Sequence, residues 1–165
     1  MLACYPKKEI HDNYFTRRSA WEDIKQWIPT NKVIWEAFYH AQSDSAFHLT
    51  DMGVNVISSD VDFFTENKGD VVISNTCFSL KKKVFHRLKL LEKPFILLVP
   101  STCIQTKYVT DLFNDDRIQL IIPYKKRQFD KLGTDGKFVD MKDGCSFYTL
   151  YVCYKMKLEK DVIFI

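Results

Sequence analysis

The sequence predicts an α/β fold, a mainly parallel sheet with helices on both faces, for two reasons. Short apolar runs alternate along the whole chain with segments of helical periodicity, and the turns between them are short. One of those runs, Phe95 to Val99, is continuously apolar, as a strand covered on both faces requires. Right-handed crossovers then place helices over both faces, and ligands in such folds sit at the carboxyl ends of the strands.

The elements follow in order. Ser19 to Ile28 carries Ala20, Trp21, Ile24, Trp27 and Ile28 on one helical face, with Ser19 as N-cap and Pro29 as the stop. Val33 to Phe38 is a β-type run. Asp44 to Met52 reads as a helix closed by Gly53, and Val54 to Ser58 as a second strand. Asp70 to Ser74 is a third strand. Leu80, Val84, Leu88 and Leu91 mark the buried stripe of a helix over Leu80 to Glu92, broken by Pro94 before the strand Phe95 to Val99. Tyr108 to Phe113 reads as helix, and Ile118 to Ile122, Phe147 to Tyr154 and Val162 to Ile165 as strands. Gln128 to Gly144, with Gly133, Gly136 and Gly144, is the one long irregular stretch, a candidate binding element.

With 165 residues, 46% of them apolar and 15% aromatic, the chain holds enough core for one domain, residues 1–165, and too little for two. The five cysteines, Cys4, Cys77, Cys103, Cys145 and Cys153, are scattered without metal-ligand spacing, so no disulfide framework or zinc site is expected and the chain reads as intracellular. The four histidines likewise form no ligand spacing, and no metal is assigned. No apolar run approaches ~18 residues, so the reading is a soluble protein away from membranes. The net charge of +3 says little, but its distribution says more. Arg17-Arg18, Lys81-Lys82-Lys83 with Arg87, Lys125-Lys126-Arg127 and Lys155 to Lys160 form clusters, several just after an apolar strand. There, loops share one sheet edge that suits a polyanion such as nucleic acid.

Several segments in order carry a resemblance: Tyr14-Phe15-Thr16, Ala20 to Ile24, Val33 to Tyr39, Asp62-Phe63-Phe64, Ser74 to Ser79 (SerAsnThrCysPheSer), Lys93 to Pro100 and Val152 to Met156. Together they resemble the small S-adenosylmethionine-dependent adenine methyltransferases of large DNA viruses and phages, which implies a Rossmann-like methyltransferase fold over nearly the whole chain. The resemblance makes Asn75 the acceptor for the exocyclic amine of the target base and Phe78 the ring that stacks on the flipped base. It places Thr16, Phe38, Tyr39, Asp60 and Asp62 around S-adenosylmethionine, with Asp60 accepting from the ribose hydroxyls. An aromatic amine is barely basic, so such an enzyme gains by accepting its hydrogen bonds and aiming its lone pair at the methyl donor. An aromatic shelf offsets part of the cost of unstacking the base.

The departures bear on function. Where the family has Asn/Asp-Pro-Pro-Phe/Tyr, this chain has Thr76-Cys77 in place of the two prolines, and loses their rigidity. Where the family has Pro-Phe-x-Gly-x-Gly, this chain has Ala37-Phe38-Tyr39-His40-Ala41-Gln42-Ser43, without a glycine to admit the cofactor against the backbone. The family's Thr-Pro is here Thr16-Arg17. The favoured expectation is therefore a degenerate methyltransferase-fold protein with little or no donor-dependent activity. It would be retained as a nucleic-acid-binding, virion or partner-binding component in the host cytoplasm or virion, with Lys81, Lys82, Lys83, Lys125, Lys126 and Arg127 as nucleic-acid contacts. The alternative is an active adenine methyltransferase acting on DNA or RNA.

Overall fold

The computed structural model describes residues 14–38, 40–133, 135–139 and 145–165. Its strands are β1 (Tyr14–Thr16), β2 (Val33–Trp35), β3 (Asn55–Ile57), β4 (Val71–Asn75), β5 (Phe95–Pro100), β6 (Ile118–Ile122), β7 (Phe129–Leu132), β8 (Phe138–Val139), β9 (Thr149–Tyr154) and β10 (Val162–Phe164). The helices are α1 (Arg18–Glu22), α2 (Ser45–Asp51), α3 (Lys81–Leu91) and α4 (Lys107–Phe113). Seven strands form one sheet in the order β10-β6-β9-β5-β4-β2-β3. β2, β3, β4 and β5 are parallel neighbours, and β6 and β10 run parallel to each other. β9 is antiparallel to both β5 and β6, so it is the single reversed strand of a mostly parallel α/β sheet.

The apolar run of β5 lies near the middle because side chains alternate faces along a strand and both faces here are covered. Phe95, Leu97 and Val99 pack with Val84, Phe85 and Leu88 of α3 and with Val109 and Phe113 of α4. Ile96 and Leu98 face the other way, toward Trp21 of α1 and Leu49 of α2. Helices thus cover both faces. Among the described residues no helix is long and apolar enough to cross a membrane.

The structure corrects several boundaries. The helix expected from Ser19 to Ile28 is α1 followed by a 3-10 turn over Lys25–Trp27, and Arg17 rather than Ser19 stands at its N-cap. Ile28 is extended, at φ −82° and ψ 118°, as the residue before a proline prefers, so the α conformation gives out early. β2 stops at Trp35, three residues short of the expected Phe38, because the chain leaves the ladder there and tucks Glu36, Ala37 and Phe38 into the interior. The stretch expected to be irregular from Gln128 to Gly144 contains β7 and β8, which with β1 form a second, three-stranded antiparallel sheet.

The chain goes from β2 through α2 to β3 on one side, and from β4 through α3 to β5 on the other. The carboxyl ends of β2 and β4 therefore part at a switch point, the place where an open parallel sheet leaves a crevice for a ligand. The small sheet sits over this place: Asn75 Nδ2 donates to the Tyr14 carbonyl at 3.4 Å, and the Phe15 ring lies 4.9 Å from the His40 ring.

Candidate functional site

At the switch point Thr16, Glu36, Phe38, Ser43, Ser45 and Asn75 converge under Tyr14 and Phe15 around a cavity of about 10 Å³. That is about the room one water needs. Glu36 is its chemical centre and was not singled out in the sequence, although an acidic residue ending the run Val33-Ile34-Trp35 was a legible signal. Its carboxylate accepts from Ser74 Oγ at 2.5 Å and from Ser58 Oγ at 3.0 Å. Burial holds the Glu36 carboxyl above the usual carboxylate range, and the hydrogen bonds from Ser74, Ser58 and the Phe38 backbone offset this only in part.

A raised folded-state value has a definite sign for stability. The contribution of Glu36 is fully present below the ordinary glutamate range and is lost as pH rises through the folded-state value. Glu36→Gln, neutral at every pH, should therefore match the parent protein near pH 4 and gain on it as pH rises to about 8. Urea midpoints across that range check this; a Gln variant that loses ground as pH rises would contradict it.

Thr16 and Asn75, far apart in sequence, meet at this cavity, and each keeps a buried oxygen without a hydrogen-bond partner: Thr16 Oγ1 and Asn75 Oδ1. Phe78 follows in a 3-10 turn, Phe78–Leu80. Its ring is stacked on Tyr14 at 6.2 Å and 24° and meets Phe147 edge-on at 5.3 Å, so it belongs to an aromatic cluster rather than standing as an open shelf. Phe38 lines this cavity and is also buried against Phe63, with ring centroids 4.8 Å apart. Asp62 Oδ1 accepts the Phe64 backbone N–H at 2.9 Å, closing its own turn. Asp60 is exposed beyond the end of β3. Tyr39 lies outside the described residues. The loop after it forms a turn of its own, with the Ser43 N–H donating to the His40 carbonyl at 2.9 Å and the Gln42 N–H to His40 Nδ1 at 3.1 Å.

The basic clusters separate. Lys81, Lys82 and Lys83 open α3 at the carboxyl edge of the sheet, Lys82 and Lys83 exposed and Lys81 Nζ donating to the Phe78 carbonyl at 2.6 Å. Lys125 and Lys126 follow β6 at the same edge. Arg127 differs from them: its guanidinium is paired with Asp23 and its side chain is 16% exposed, so it ties the loop to the end of α1 and is not presented to a phosphate. Arg17 and Arg18 are likewise engaged, with Asp130 at 2.8 Å and with Glu22 at 2.7 Å. Lys155 to Lys160 follow β9, and because β9 is reversed they lie at the opposite, amino edge. Among the described residues no three His, Cys, Asp or Glu side chains gather to hold a metal.

The fold and site define an α/β protein with a polar crevice at the switch point of a mostly parallel sheet and a basic carboxyl edge. No protein-family model matches the chain, and no curated protein matches it in sequence. The donor that the resemblance implies can be tested against the residues themselves. Thr16 and Asn75 offer free oxygens, Asp62 closes its own turn, and His40 and Gln42 stand where the resemblance implies glycines. Among the described residues, the cavity between Thr16 and Asn75 has room for about one water.

Proposed function

We propose that the chain is a nucleic-acid-binding protein on a Rossmann-like, methyltransferase-type fold that has given up the methyl donor. One observation carries the reading: among the described residues the cavity at the switch point has room for about one water, while the edge around it keeps exposed lysines. A polyanion needs only the edge, whereas a donor needs the crevice. The unpartnered Asn75 Oδ1 favours a second reading, an active adenine methyltransferase, since it is the acceptor that an exocyclic amine requires.

Phosphate contacts displace condensed counterions, so binding should weaken steeply with salt. Anisotropy of a labelled oligonucleotide titrated between about 50 and 200 mM salt checks this, with a slope of log affinity on log salt that falls by about 0.7–0.9 for each lysine removed. Lys125→Ala with Lys126→Ala should flatten the slope accordingly, and Arg127→Ala should leave it nearly unchanged. No binding at the lowest salt, or a slope indifferent to Lys125 and Lys126, would remove nucleic acid from the account.

A further inference from the structure

Beyond β6 and before β9 the carboxyl edge carries two large exposed aromatics, Tyr124 at 74% and Tyr148 at 59% exposure. Both have a cation over the ring: Lys125 Nζ lies 5.4 Å from the Tyr124 centroid and Lys126 Nζ 4.9 Å from that of Tyr148. The rings stand on fixed backbone. Tyr124 N–H donates to the Ile165 carbonyl at 2.8 Å, and the Tyr148 carbonyl accepts from Ser101 N–H at 2.8 Å, tying each to a neighbouring strand of the large sheet. The β6–β9 ladder ends with Ile121 paired to Tyr151, and Tyr124 and Tyr148 lie three residues beyond that pair on the two strands, at the same end of it.

With a lysine over one face, a largely exposed tyrosine still offers planar apolar surface to a base, and the lysine supplies the charge that a phosphate backbone seeks. Stacking needs an unpaired base, because the faces of duplex bases are already covered by their neighbours. Lysines alone would favour the duplex, whose charge density is higher. Rings and lysines together favour a single strand, with bases on the rings and phosphates along the cations.

We infer that Tyr124 and Tyr148 form a stacking platform and that the nucleic acid held at this edge is single-stranded. The inference rests on the nucleic-acid reading above and names its substrate. Phe78 is not part of the platform, since its ring is already packed by Tyr14 and Phe147. Every base has a stackable face, so the preference is for strandedness rather than for sequence, and DNA and RNA single strands are both taken.

The test is anisotropy of the full chain with fluorescein-labelled oligothymidylate, oligouridylate and a mixed-sequence DNA duplex of equal length, at one salt concentration. Each single strand should bind about 10-fold or more tightly than the duplex, and Tyr124→Ala and Tyr148→Ala should each cost about 10-fold on single strands and less than about 2-fold on duplex. Tyr124→Phe and Tyr148→Phe, which keep the stacking face, should bind like the parent, and unfolding midpoints verify that all four variants fold. Equal or tighter duplex binding, or alanine variants that bind single strands as the parent does, would overturn the platform while leaving nucleic-acid binding in place. Failure to bind any of the three oligonucleotides would overturn both.

Discussion

Trp35→Ala should cost about 3–5 kcal/mol of folding stability, the range for removing a large buried aromatic, and so unfold much of a protein whose total margin is of order 5–15 kcal/mol. Trp35 is fully buried at the end of β2, paired in register with Ile57 of β3 on one side and Val72 of β4 on the other. Its ring lies 5.4 Å from that of Phe63, which in turn packs Phe38. Alanine leaves a cavity under all three strands beside the switch point. The buried indole Nε1 has no hydrogen-bond partner, so its desolvation is uncompensated. Trp35→Phe, which deletes that donor and keeps much of the volume, should lose much less. Urea denaturation of the two variants separates them; an alanine variant within about 1 kcal/mol of the parent would show that the core is not organised around this ring.

Gly69→Ala should cost about 2–4 kcal/mol, the sum of left-handed strain on an L residue and a backbone displacement. Gly69 sits at φ +61°, and a Cβ there would lie 2.9 Å from the Val33 carbonyl oxygen and 3.2 Å from both the Cβ and N of Trp35. That carbonyl cannot easily move, because it accepts the Asp70 N–H at 2.7 Å where β4 joins β2. Gly53 provides the control. It has φ +85° but nothing within 4 Å of an added Cβ, so Gly53→Ala should cost only the strain, about 1–2 kcal/mol. Chemical denaturation of the two variants should rank Gly69→Ala as clearly the worse, and equal losses would mean that the contact with β2 relaxes freely.

The parallel core was legible because its signals are local. Phe95 to Val99 has only one way to be buried on both faces, and the spacing of Leu80, Val84, Leu88 and Leu91 fits one helix face. β1, β7 and β8 are three, four and two residues long, too short for periodicity, and β1 exists only through its pairing of Tyr14 with Lys131 across most of the chain. Without that small sheet, nothing in the sequence reveals that Asn75 and the crevice are covered. At the site, Thr16 and Asn75 line one cavity although they are far apart in sequence. Phe38 lines the same cavity and packs on Phe63 as well; an apolar residue at a strand end serves a crevice and a core alike, and reads the same in sequence for either. Arg127 shows the same limit for charge: in sequence it extends the Lys125-Lys126 run, and only the approach of Asp23 from the end of α1 takes it out.

The proposal that the protein keeps the carboxyl edge and has lost the donor crevice is tested most directly by calorimetric titration of S-adenosylmethionine and of its demethylated product into the protein. Side chains in the space that glycines leave open cost about 1–3 kcal/mol each before lost backbone contacts are counted, enough to weaken a micromolar site by ~10- to 100-fold or more. The expected result is no saturable heat up to about millimolar ligand. Saturable micromolar binding of either compound would contradict the account and restore the active methyltransferase reading.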